Sequence, residues 1–224
     1  MTTVVHRHQP ARRGAARATT WWGKAWVRAV EESAYAEEDL RAARSLARSG
    51  TLGPIAVERG RFSCTVLDDD RLPAVAGTLA MLDDEAWDTF VELVAAESGR
   101  VAALLAGDLP YSLVEHAEES GVELLPYSGE LGWACTCDAW IDPCRHGLAV
   151  GYQLAWLVDA DPFVLTALRG LPRDDLLARL HARATPDRVV EPGTVDLDLG
   201  LDAALRAARA LDLLDAGEAI DHLL

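Results

Sequence analysis

At 224 residues, 50% of them hydrophobic and 25% charged, the chain has the composition of one globular domain with appendages, not of a fibrous or disordered protein. Its 21 Lys and Arg against 36 Asp and Glu leave a formal net charge of −15. That sign argues against a surface that grips nucleic acid or an anionic membrane over its whole face, since both need cations.

The charge is unevenly spread. Residues 1–30 contain Arg7, Arg12, Arg13, Arg17, Lys24 and Arg28 and no acid. Little in 1–18 is apolar enough to fold, so residues 1–19 read as a flexible basic arm. No apolar run follows the arginines, as a signal peptide would require, and the expected location is cytoplasmic. The longest uncharged central run, His146 to Val158, is 13 residues, short of the roughly 20 that span a bilayer.

Thr20 is placed to cap a helix whose apolar stripe is Trp21, Trp22, Trp26 and Val30. At helical spacing these tryptophans read as core rather than as a base-stacking platform. A second helix is expected over Glu37–Ser49, stopped by Gly50. The period then changes to two. Ile55 and Val57, Phe62, Cys64 and Val66, then Val75 and Leu79 predict an antiparallel meander near 54–58, 61–67 and 73–81, broken by Gly60 and the Asp68-Asp69-Asp70 run. Cys64 alternates with Phe62 and Val66 and reads as a core thiol.

Asp83-Asp84-Glu85 starts a helix that carries Trp87, Phe90, Val91 and Val94. Short helices are expected at Val101–Leu105 and Tyr111–Glu119, and a strand at Val122–Leu125. Trp133–Cys137 predicts another short strand, and a long apolar helix starts near Cys144. Asp161-Pro162 caps a helix ending at Gly170, and Arg173–Ala184 continues in helix. Thr185–Leu199 reads as a linker and Ala203–Leu214 as a last amphipathic helix.

One segment carries chemistry: Cys135-Thr136-Cys137, six residues, then Cys144-Arg145-His146. Three cysteines this close in a cytosolic chain read as metal ligands before disulfides. Zn²⁺ takes four such donors in a tetrahedron. C-x-C on a strand puts both sulfurs on one face. C-x-H is harder, because positions two apart on a helix diverge by ~200°. Cys144 therefore belongs at the helix start with non-helical backbone, so that His146 reaches back from the first turn. Three thiolates and a neutral imidazole leave the site one negative charge in excess, which Arg145 is placed to offset. With all four positions filled by protein, the zinc is expected to be structural rather than catalytic. No nucleophile motif, phosphate loop or dinucleotide fingerprint is present in the sequence, and no enzymatic activity or small-molecule substrate is expected. A zinc–thiolate redox switch using the same residues remains an alternative.

The C-x-C…C-x-H pattern resembles the SWIM zinc finger family, onto whose ligands Cys135, Cys137, Cys144 and His146 fall. The segments Thr20-Trp21-Trp22-Gly23-Lys24-Ala25-Trp26, Gly107-Asp108-Leu109-Pro110 and Asp161–Gly170 look like bacterial SWIM proteins found with SNF-type helicase-like ATPases. The resemblance covers roughly residues 20–180. It implies a ββα finger that contacts DNA or protein.

The expected architecture is thus α+β. A small antiparallel meander with flanking helices is joined to a ββα-like finger, at about 121–160, packed on a mainly helical C-terminal half. The α+β domain covers 20–183; 184–224 is linker and acidic C-terminal helix. Residues 121–160 contain five acids and one base, so a duplex should be repelled there. A protein partner is favoured for the finger, possible candidates including an SNF-type helicase-like ATPase, with Trp140 as an anchor. Weak nucleic-acid binding through Arg7, Arg12, Arg13, Arg17, Lys24 and Arg28 is the alternative.

Overall fold

The computed structural model describes residues 3–13 and 18–184. The elements run β1 (Val4–His6), α1 (Trp21–Glu32), α2 (Glu37–Ser49), β2 (Ile55–Glu58), β3 (Arg61–Thr65), β4 (Ala74–Leu79), α3 (Asp84–Ala95), α4 (Ser98–Leu105), α5 (Tyr111–Glu119), a 3₁₀ turn at Ser128–Glu130, β5 (Leu131–Cys135), α6 (Arg145–Ala160), α7 (Pro162–Leu168) and α8 (Arg173–Ala184). The fold is α+β, with one antiparallel sheet in the order β1-β2-β3-β4-β5. The segments read as a linker and a final helix lie outside the described residues. Among the described residues no helix is long and apolar enough to cross a membrane.

The local signals act as their chemistry dictates. The Thr20 hydroxyl caps α1 by accepting from the Gly23 N–H at 3.0 Å. It also donates to Asp159 Oδ1 at 2.6 Å, tying α1 to the far end of α6. Trp22 and Trp26 are buried, and their indole N–H groups donate to Val158 O and Gly151 O. Three acids occupy the first turn of α2, and Gly50 ends it at φ 78°, a left-handed backbone that favours glycine.

The meander of β2, β3 and β4 forms with period two, its buried face made of Ile55, Val57, Phe62, Cys64, Val75 and Leu79. Gly77 is paired with both Phe62 and Trp133. Their rings meet edge to face, centroids 5.6 Å apart, over the space that a Cβ on Gly77 would fill. On the other side of Trp133, a Cβ at Gly151 would lie 2.9 Å from its ring and from Val30. The two glycines hold the sheet, α6 and α1 close around one indole.

Two expectations need correction. Residues 4–6, within the segment read as a flexible arm, form the edge strand β1, Val4 opposite Val57 and His6 opposite Ile55. Two β-branched valines at an open strand edge outweigh the polar composition around them. The chain beyond β1 is also held: the His8 Nδ1–H donates to Leu52 O at 2.7 Å, and Arg12 lies 4.5 Å over the Trp156 ring. The strand expected at Val122–Leu125 does not form. Val122 and Leu124 are buried, but the carbonyls of Leu124 and Leu125 accept from the guanidinium of Arg169 instead of from a neighbouring strand.

α6 is the most enclosed helix among the described residues. Gly147 to Trp156 is buried without interruption, so this helix has no polar face there to show to water. It packs on α1 and α2 and lies against β4 and β5. Its first turn carries the candidate site.

Candidate metal centre

Four donors converge where β5 ends and α6 begins. Cys135 is the last residue of β5, and Cys137 follows two positions on. Cys144 is the N-cap of α6, with extended backbone at φ −79° and ψ 174°. His146 is the second residue of the helix. The strand is two residues N-terminal of the expected Trp133–Cys137. Its pairing with β4 is extended one residue further by the Thr136 N–H, which donates to Ala74 O at 3.0 Å. The extended backbone at Cys144 resolves the C-x-H difficulty: only His146 is helical, so the two side chains do not have to obey the ~200° separation.

The ligand atoms of Cys135, Cys137, Cys144 and His146 all lie within 4.8 Å of one another. His146 Nδ1 is 3.7 Å from Cys144 Sγ and 3.8 Å from Cys135 Sγ. A tetrahedral ion with bonds of ~2.0–2.3 Å needs donor–donor edges of roughly 3.3–3.8 Å, so the group could hold a metal ion with small movements. Cys144 and His146 are buried, Cys135 and Cys137 half-buried.

The donors differ in how readily they give up their protons. Burial opposes ionisation of Cys144, but hydrogen bonds from His146, the Gly147 N–H and Cys137 outweigh it and lower the thiol to about 7. The N–H groups at the helix start act in the same sense. The Cys144 interaction, more than that of Asp68, raises His146 to about 9 against the effect of burial. Cys135 is pushed up by burial to about 12. The cluster thus holds protons that a metal ion must displace.

Asp68 completes the site. The His146 Nε2–H donates to Asp68 Oδ2 at 2.9 Å, which leaves Nδ1 facing the sulfurs. A carboxylate behind a ligating imidazole fixes its tautomer and ring orientation. Arg145 also donates to Asp68. The arginine expected to offset the site's charge therefore acts through this carboxylate. The His146 hydrogen bond, first among several, holds Asp68 below the usual carboxylate range. Asp68 stands at the base of a tight turn in which Asp68 and Arg71 exchange two backbone hydrogen bonds of 3.0 Å. Asp69 lies between them at φ 53°, which a short polar side chain tolerates. In the sequence the Asp68-Asp69-Asp70 run reads only as a strand breaker; nothing in its spacing points 78 residues ahead to His146.

The remaining singled-out residues are placed as follows. Cys64 is buried away from the cluster, and burial pushes its thiol up to about 11. Trp140, on the loop between Cys137 and Cys144, is 100% exposed. Arg28 pairs with Glu32 at 2.7 Å, and Lys24 is exposed on the same helix. Arg17 lies outside the described residues.

Fold and cluster together define an α+β protein with a Cys₃His group able to hold a metal ion. Over 167 residues, 74% of its length, the chain is 31% identical to the uncharacterized protein Rv2102 of Mycobacterium tuberculosis, and the match spans 60% of that protein. No family model matches the chain. No solved structure matches it.

Proposed function

We propose that the protein is a zinc-binding interaction module of the SWIM type, in which a structural Cys₃His zinc holds a protein-contact surface. The observation that carries this reading is the convergence of Cys135, Cys137, Cys144 and His146 to within 4.8 Å, with Asp68 behind the imidazole. Three sulfurs and one imidazole suit Zn²⁺ over the hard oxygen-seeking cations. Four protein donors leave no coordination position for a substrate or water, which supports a structural role and not a catalytic one. The metal would pin the end of β5 to the start of the central helix.

The resemblance to bacterial SWIM proteins suggests a setting beside a helicase-like ATPase that works on DNA. Contact with protein is favoured over direct DNA contact. Arg12 already stacks on Trp156 and Arg28 pairs with Glu32, which engages two of the N-terminal cations. Fully exposed Trp140 is a suitable anchor for a protein partner. X-ray absorption at the zinc edge of the zinc-loaded chain tests the centre. The expected shell is three sulfurs near ~2.3 Å and one nitrogen near ~2.0 Å. A water oxygen in the shell, or only two sulfurs, would contradict it.

A further inference from the structure

We infer that the groove beside the metal centre docks a basic, apolar-containing peptide segment of a partner protein. The inference rests on the reading above that the centre supports a protein contact, and it names the chemistry of that partner.

The groove has a volume of about 940 Å³ and runs between the Asp68–Arg71 turn and the loop that joins Cys137 to Cys144. Three large apolar side chains stand out at it: Trp140 at 100% exposure, Leu72 at 68% and Ile141 at 49%. Large apolar side chains gathered on an exposed surface are a mark of a contact site. Trp140 also presents both faces of an indole, the best ring for stacking a guanidinium or ammonium.

Charge selects the occupant. Five aspartates line the groove against two arginines. Both arginines are already held by groove carboxylates: Arg71 by Asp138 at 2.6 Å and Arg145 by Asp68. Among the described residues Asp39, Asp69 and Asp70 make no ion pair. A zinc ion held by three thiolates and an imidazole would add one more negative charge. A nucleic-acid backbone would be repelled from such a groove. A peptide with arginine or lysine beside a large apolar residue meets both parts of it, the cations at the aspartates and the apolar side chain at Trp140, Leu72 and Ile141.

The test selects random peptides of about 12 residues displayed on phage against the zinc-loaded full chain. Binders are then measured by fluorescence anisotropy against two variants, Trp140→Ala and the double variant Asp69→Asn, Asp70→Asn. Neither replaces a ligand or Asp68, and asparagine tolerates the positive φ of Asp69, so both should keep their metal and thermal midpoint. The expected binders carry net positive charge and a large apolar residue. They should weaken at least about tenfold on Trp140→Ala and several-fold on the double variant. Raising the salt should weaken them further. Recovery of no binders, of neutral or acidic ones, or of binders indifferent to Trp140→Ala overturns the inference. So does single-stranded DNA of about 20 nucleotides binding the same groove more tightly than the selected peptides. Metal analysis of the same samples separates the two claims. Stoichiometric zinc without basic binders removes the docking site and leaves the zinc centre; basic binders without zinc do the reverse.

Discussion

The two ends of β5 are each fixed by a polar cluster, and the clusters are built on opposite plans. At the start of the strand, Arg169 is fully buried and forks onto Glu130, with both contacts 2.7 Å, while donating to the carbonyls of Ala80, Leu124 and Leu125. That cluster is charge-complete within the protein. At the end of the strand, three thiols and an imidazole converge, and only Asp68 and Arg145 stand behind them. One cluster needs nothing further; the other has the donor set of a site completed by an ion. A buried ion pair is costly to break because it strands the other charge. A metal site is costly to break because binding and local folding are one event.

The largest effect is expected at the metal end. Cys137→Ser should lose the metal. If the ion is present at about a thousandfold over its Kd, roughly 4 kcal/mol of stability goes with it. The thermal midpoint would fall by roughly 8–16 °C in a chain of this size. Full metal content with an unchanged midpoint would erase the difference between the two ends.

At the other end, Arg169→Met should destabilise by about 3–5 kcal/mol, since it leaves Glu130 and three carbonyls without their donor. Its metal content should stay unchanged, as measured on the folded fraction. Loss of metal in this variant would mean that the clusters are one unit and not two.

Asp68→Asn sharpens the contrast further. Removing the carboxylate behind His146 should weaken metal affinity about 10–100-fold, read by competition with a chelator, and should also lower the chelated protein's stability, because Asp68 pairs with both His146 and Arg145. An effect of less than twofold would deny Asp68 its orienting role.

A pH titration follows from the same contacts. In chelated protein His146 is raised to about 9, so its ion-paired form contributes stability below about 6.5, and that contribution fades as pH rises through about 9. Metal affinity has the opposite sign, because His146 and the thiols must release protons to bind. Affinity should therefore climb with pH through neutrality, each binding event releasing protons that calorimetry in buffers of different ionisation enthalpy can count. A flat profile would contradict ligation by these groups. The smallest effect is at Trp140, where alanine should change stability by less than about 0.5 kcal/mol.

What was legible in the sequence follows from how local each signal is. α2, α5 and α8 occupy Glu37–Ser49, Tyr111–Glu119 and Arg173–Ala184 as expected, because the acids in the first turns of α2 and α8 and the glycines after α2 and α5 are neighbours in the chain. The Cys and His spacing was legible for the same reason, including the extended backbone at Cys144. Asp68 was not, because its partner is 78 residues away and only the β3–β4 turn brings it there. Arg169 and Glu130 were not, and Arg169 takes the Leu124 and Leu125 carbonyls that a neighbouring strand would have used. β4 pairs with β5 beside the start of α6, yet α3, α4 and α5 lie between these two strands in the chain. Of the two strands expected within 121–160 only β5 forms, and its partner is the last strand of the meander. β1 was hidden by the arginines around two valines.

If Cys135, Cys137, Cys144 and His146 hold one ion, that ion holds the strand end to the central helix. Elemental analysis of the purified full chain, combined with thermal unfolding before and after a strong chelator, reads both at once. One zinc per chain is expected, with a midpoint that drops on chelation and returns when zinc is restored. A chain that carries no zinc after loading, or that unfolds at the same temperature with and without it, would rule out such a centre.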